Sequence, residues 1–157
     1  HVKNCIGIAN TDIGGTWAIT SPAASSTPPI DTYVKVAGTT TYSNLQWFTG
    51  PTNNGFVSIT TVTLRMTVMF SGSFTGGNNK VGSLRVRHWD NSLETYVDIV
   101  SARFAIGGPG ISENVICISP PIVMDISDKI ELWVANLSDG SSFTCDSGSI
   151  FQLHEVF

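Results

Sequence analysis

Acid–base chemistry in this chain would have to come from His88, His154 and the nearby carboxylates Asp90, Glu94 and Asp98. A glycosidase needs two carboxyl groups flanking the bond it cleaves. Folding could assemble such a pair from these three, but acidic residues in turns and on exposed strands are usually just solvated. Nucleophilic catalysis has less to draw on, since no serine sits in a GxSxG elbow and no HExxH or paired metal-ligand spacing occurs. Asp139 and Asp146 offer two carboxylates to calcium, a cation that takes about six to eight oxygen ligands. Cys5, Cys117 and Cys145 are far apart and lack CxxC spacing. Free buried thiols are expected, with a Cys117–Cys145 disulfide as the alternative. The expectation is a protein that is not an enzyme and carries no cofactor and no metal.

Whatever these residues do, the elements that position them are strands. At 157 residues the chain suits one domain, and a domain of this size buries roughly 70% of its unfolded surface. Only 13% of residues are charged against 41% hydrophobic, which is the balance of a folded chain with a Ser/Thr/Asn/Gly-rich surface. The net charge of -4 and the lack of any Lys/Arg cluster argue against nucleic acid and anionic membranes as partners. No apolar run approaches the roughly 20 residues of a membrane span, and the first residues show no signal-peptide pattern. The sequon Asn136-Leu137-Ser138 is the only glycosylation motif.

Runs rich in β-branched and aromatic residues, bounded by Gly, Pro, Asn or Ser, follow one another from "CIGIA" and "DTYVKVAGT" through "VTLRMTVMFSGSF", "GSLRVRHW" and "ISENVICIS" to "DKIELWVAN" and "SIFQLHEVF". Apolar positions alternate instead of recurring three and four apart, so the chain reads as an all-β sandwich or barrel. The Pro/Ser-rich stretch Thr20 to Pro29 is expected to cross the outside of the fold. Alternation assigns Val62, Leu64, Met66, Val68 and Phe70 to the core, and Ile130, Leu132 and Val134 likewise. The opposite face is mixed, because it carries Met69, Trp133, Ile150 and Val156 as well as His154. One face of an antiparallel sandwich is ordinarily wet. These residues therefore point to a face covered by another subunit, or by loops of the same chain.

The tryptophans and arginines add binding chemistry. Arg85 and Arg87 share a face with Trp89 and can form a cation-π ladder or pair with Glu94 or Asp98. Trp89 and Arg87 are candidate ligand contacts on the side of the fold. Trp17, in "IGGTWAI", reads as a strand residue covering an edge, and Trp47 and Trp133 as core or interface.

The runs "TTYSNLQWFTGPTNNGFVSIT", "VTLRMTVMFSGSFTGG", "GSLRVRHW", "ISPPIVMDISDKIELWVAN" and "GSSFTCDSGSIFQLHEVF" occur in an order that resembles the globular heads of the tumour necrosis factor and complement-head superfamily. The early "DTYVKVAGTTTYSNLQWFT" is similar to the viral branch, the C-terminal heads of bacteriophage fibres. The closing "FQLHEVF" departs from the vertebrate pattern, which typically has Gly after the aromatic. The resemblance covers Asp31 to Phe157. It implies an antiparallel jelly-roll head over 31–157, with 1–30 as an N-terminal strand or arm and crossover packed on it. It also implies a homotrimer with the C-terminal strand near the threefold axis, joined by Met69, Trp133, Ile150, His154 and Val156. The function implied is a receptor-binding head at the virion surface, joined to a fibre shaft on its N-terminal side and attaching to a host glycan or protein. A stand-alone carbohydrate-binding module and a structural virion or spore-surface decoration are the alternatives.

Alternating strand direction puts the turns Thr75–Lys80, Gly107–Gly110 and Leu137–Ser147 at one end and the turns Trp89–Ser92 and Ser119–Asp128 at the other. The resemblance makes the first set the exposed tip. Its candidate ligand groups are Asn78, Asn79, Lys80, Asp139, Ser141, Ser142 and Asp146, which can hydrogen-bond sugar hydroxyls. Turn formation alone also accounts for such residues.

Overall fold

The computed structural model describes residues 13–25, 30–43, 46–49, 55–76, 78–108 and 110–156. Its strands form two sheets. The first contains β1 (Ile13–Pro22), β2 (Ala24–Ser25), β4 (Gly38–Ser43), β7 (Val62–Phe74), β10 (Glu113–Ile118), β11 (Ile122–Met124), β13 (Phe143–Cys145) and β14 (Ile150–Glu155). The second contains β3 (Val34–Lys35), β5 (Phe48–Thr49), β6 (Gly55–Ser58), β8 (Lys80–Asp90), β9 (Thr95–Ile106) and β12 (Lys129–Asn136). Every pairing among the described residues is antiparallel.

The alternation in β7 dictates its place. Leu64, Met66, Val68 and Phe70 are at most 3% exposed and point between the sheets, while Arg65 and Met69 point out. β7 takes β10 and β11 on one edge and β13 and β14 on the other. The step from β13 to β14 is a bulge: Cys145 pairs with Gly72 and Ile150 with Met69. The four intervening residues, opposite two on β7, are anchored on Ser71, whose backbone N donates to Ser149 Oγ at 3.0 Å and whose Oγ donates to Asp146 Oδ2 at 2.8 Å.

Aromatic side chains fill the space between the sheets. Phe56 meets Tyr42, Phe48 and Phe151 at one end, and Phe70, Phe74, Phe104 and Phe143 cluster at the other. The second cluster needs two glycines. A Cβ on Gly72 would stand 2.1 Å from Phe143 Cζ, and one on Gly82 would stand 2.3 Å from Phe104 Cζ.

The described part of the N-terminal strand or arm is a strand. β1 lies inside the first sheet between β14 and β4, and Trp17 is 1% exposed in the core instead of covering an edge. Thr20 to Pro22 do not cross the outside, because Ser21 and Pro22 pair with Thr39 and Gly38 of β4. Proline is tolerated there since only β4 pairs with that end of β1; the β14 ladder begins at Ala18. The "CIGIA" run lies outside the described residues.

Cys117 and Cys145 are free and buried, so the alternative of a disulfide between them is overturned. They stand on opposite edges of β7, opposite Val68 and Gly72 respectively. Cys5 lies outside the described residues.

Candidate functional site

Merging the short strands that continue one another, the first sheet reads β4, β1, β14, β7, β10, with β14 at its centre. Its outer face carries an apolar row. Ile116, Met69, Ile150 and Ala18 stand opposite one another across four strands. Ile116 is 69% exposed and Met69 37%, with Ile118 and Val123 exposed beside them. Single exposed apolar residues are ordinary, but an apolar row running across neighbouring strands, with several members exposed, marks a surface built to be covered. Next to it is a groove of about 230 Å³ lined by Met69, Ser71, Asn114, Ile116, Gly148 and Ser149, opened by the bulge at Asp146–Ser149. Farther along the same face, Arg65 stands directly opposite His154, and Val156 donates its backbone N–H to Thr63 O.

Trp133 does not belong to this face. It lies on β12 in the second sheet, on the far side of the sandwich from Met69, Ile150, His154 and Val156. Alternation gave the parity of Trp133 correctly but not its sheet. Its neighbours form a polar-aromatic network centred on Glu131, which is 2% exposed. Glu131 accepts from Lys35 Nζ at 2.5 Å, Tyr96 Oη at 2.9 Å and Trp133 Nε1 at 2.9 Å. Gly55 leaves room for it, since a Cβ there would stand 3.0 Å from Glu131 Cγ. Burial, then the bond to Glu131, pushes the Tyr96 phenol up to about 12. Arg87 lies over both the Tyr96 and Trp133 rings, at 4.7 and 4.9 Å, and Arg85 over Tyr33 at 3.8 Å. Both arginines pair with Asp98, at 2.7 and 2.9 Å. Glu94 takes no part in this ladder; it sits in the β8–β9 turn with φ +50°. Trp89 packs edge-on against Tyr96 at 4.9 Å and is half-buried. Of the two lateral candidates, Arg87 is committed to this network and Trp89 leans on it.

The loop candidates divide. Lys80 is 4% exposed. Its ammonium donates to Thr75 O at 3.1 Å and to Ser141 Oγ, and it pairs with Asp139 at 2.9 Å. Thr75 N donates to Ser142 O. These bonds tie the β7–β8 and β12–β13 turns together, and Gly108 places the β9–β10 turn beside Asn78. The three turns therefore share one end, but Lys80 and Asp139 face each other instead of a ligand. Hydrogen bonds from Ser141, Lys80 and Asn136 hold the Asp139 carboxyl well below the usual carboxylate range. Asp146 is not in this loop; β13 intervenes, and Asp146 sits at the bulge on Ser71. Asp139 and Asp146 thus engage different partners, and no group of metal ligands converges among the described residues. Asn78 and Asn79 are exposed, with Asn79 in the left-handed region at φ +54°, as its turn demands. Asn136 of the sequon is fully buried and donates to Asp139 and Ser141, so the folded chain does not present it for glycosylation.

At the opposite end the structure reveals a pair that no motif signalled. His88 Nε2 stands 2.7 Å from Asp128 Oδ2. Asp128 also accepts from Asn91 N and Asp125 N, while its backbone carbonyl accepts from Ser58 N. This pins three turns together. Asp90 accepts from Ser92 and Leu93 in its own turn, and the Ser92 hydroxyl holds its carboxyl below the usual range. Asp90, Glu94 and Asp98 therefore occupy separate settings and do not converge as a carboxylate pair.

No family model and no curated protein matches the chain. Among solved structures, the Eiger tumour necrosis factor of S. frugiperda superimposes with a TM-score of 0.62 at 11% identity, over 93% of this chain and 94% of that one. Identity that low speaks for fold alone. The chain has the tumour-necrosis-factor-like jelly-roll fold, two antiparallel sheets in a sandwich, as the order of its sequence runs implies.

Proposed function

We propose that this chain is a non-enzymatic binding head that works as a homotrimer, closing through the outer face of its first sheet. The observation that carries this reading is the apolar row Ile116, Met69, Ile150 on neighbouring strands of the first sheet, with Ile116 and Met69 exposed. An obligate interface buries more than about 2,000 Å² and is more apolar than ordinary surface. Cyclic closure of three such faces covers the row and the adjoining groove in one step. With that face covered, the loops bound together by Lys80 form a rigid outer end, and Asn78 and Asn79 are its free polar side chains.

The finer part of the proposal is the setting: the receptor-binding head of a phage fibre or spike at the virion surface, attaching to a host glycan or protein. The "DTYVKVAGTTTYSNLQWFT" run supports it. Three linked weak sites gain by avidity, since after the first contact the others meet their partners at up to about millimolar effective concentration. A lone carbohydrate module would need open aromatic faces, whereas Arg87 covers the rings of Tyr96 and Trp133.

Light scattering tests the assembly and cell binding tests the attachment. The expected mass is three times 16.8 kDa. The labelled head should bind saturably to some members of a panel of bacterial cells, and Asn78→Ala with Asn79→Ala should weaken that binding. A monomer overturns the trimer. A trimer that binds no cell in a broad panel overturns the attachment role.

A further inference from the structure

We propose that Arg65 and His154 form an anion-binding site inside the assembled trimer, a reading that rests on the self-association proposed above. Arg65 on β7 and His154 on β14 are direct cross-strand partners, and Ile13 of β1 completes their row. Side chains so placed lie about 5 Å apart at Cβ. Both are on the outer face of the sheet, at its central strands, where three copies would meet. Arg65 is exposed in the single chain and makes no ion pair or ring contact among the described residues.

Assembly would bury this guanidinium, and an unpaired buried charge is costly. Among the described side chains, the same face supplies no carboxylate at that height. Asp146 reaches it only at Ser71, six residues farther along β7 and so roughly 20 Å away. Rotation about an axis along the strands preserves height, so a neighbouring copy's Asp146 comes no closer. Three arginines would then concentrate positive charge, with three imidazoles beside them to donate hydrogen bonds. A guanidinium pairs best with two oxygens of one planar or tetrahedral oxyanion. The ligand class is therefore sulfate, phosphate or a carboxylate. Three histidines around an axis would also suit a transition metal, but a permanent cation beside each imidazole repels a dication.

The experiment is sedimentation of the whole chain across a concentration series, in sulfate and in chloride at equal ionic strength. At sulfate about ten times its dissociation constant, one site per trimer should lower the trimer's dissociation constant about tenfold. Arg65→Met should stay trimeric and lose the sulfate response, while His154→Leu, which removes the imidazole donor opposite Arg65, should stay trimeric and weaken it. A chain that is monomeric at every concentration overturns this inference together with the trimer. A trimer that dissociates equally in sulfate and chloride, or whose sulfate response survives Arg65→Met, overturns the inference alone. Tightening by zinc through His154 in place of sulfate would also overturn it, in favour of a metal.

Discussion

Truncating Ile116 to Ala gives the sharpest test of the proposed interface. The side chain is 69% exposed in the single chain, so assembly has about two-thirds of it left to bury. The change removes three carbons, each worth about 0.8 kcal/mol when buried. Two-thirds of that is about 1.5 kcal/mol per subunit and about 5 kcal/mol per trimer. At about 1.4 kcal/mol per tenfold, the trimer's dissociation constant should rise by between three and four powers of ten. The fold of the single chain should lose well under about 1 kcal/mol, since an exposed strand position carries only its modest β-propensity. Sedimentation across a concentration series reads the first quantity and urea unfolding of the dissociated chain reads the second. Val97→Ala is the control, because Val97 is 47% exposed on β9 of the other sheet and should leave assembly unchanged. If trimers of Ile116→Ala dissociate as the parent does, the subunits meet through another surface and the reasoning fails.

Trp133→Asp should unfold the chain more easily instead of merely separating subunits: it removes a donor to buried Glu131 and sets a second carboxylate beside it. A loss of about 3 to 5 kcal/mol in urea unfolding is expected, and dissociation with unchanged stability would contradict the assignment of Trp133 to the second sheet. Tyr96 should ionise late, its phenol being pushed up to about 12. The folded state holds that proton more tightly than the unfolded chain, so the stabilisation is complete below about pH 10 and is lost as pH rises toward 12. Tyrosinate absorbance should show one delayed step, moved downward by Glu131→Gln; tyrosines that all ionise together would refute the network. Gly72→Ala should cost about 3 kcal/mol or more in urea unfolding. The new Cβ meets both Phe143 and the Thr144 backbone oxygen, at 2.6 Å for the latter, and a loss under about 1 kcal/mol would mean that the Phe143 cluster is looser than its geometry states. Burial pushes the Cys145 thiol up to about 12, so thiol-alkylating reagents mapped by mass spectrometry should modify it only on unfolding.

Parts of this fold and of its surfaces are legible in the residues themselves. β7 and β12 show the period of two plainly, so Leu64, Met66, Val68, Ile130, Leu132 and Val134 declare themselves as core. The mixed character of the other parity was equally visible at Met69 and Ile150. The extent of β1 was obscured because the Pro/Ser stretch reads as a breaker, although a strand end paired on one side tolerates it. The joining of Lys80 to Asp139 was hidden for another reason: both residues suit an exposed turn, and only folding brings them 2.9 Å apart and shuts the ammonium away from water.

Side-chain parity is a local property of extended backbone, set by the alternation of Cβ atoms along one strand. The sequence alone therefore determined the all-β class, the inward set of each long strand, and the presence of apolar side chains on the outward parity. Which sheet a strand joins depends on pairings between residues far apart in the chain, and parity carries no information about them. Tertiary structure alone decided that Met69, Ile116 and Ile150 share a row while Trp133 lies across the sandwich around Glu131. It also decided that Arg65 faces His154, because that meeting is a matter of register between β7 and β14.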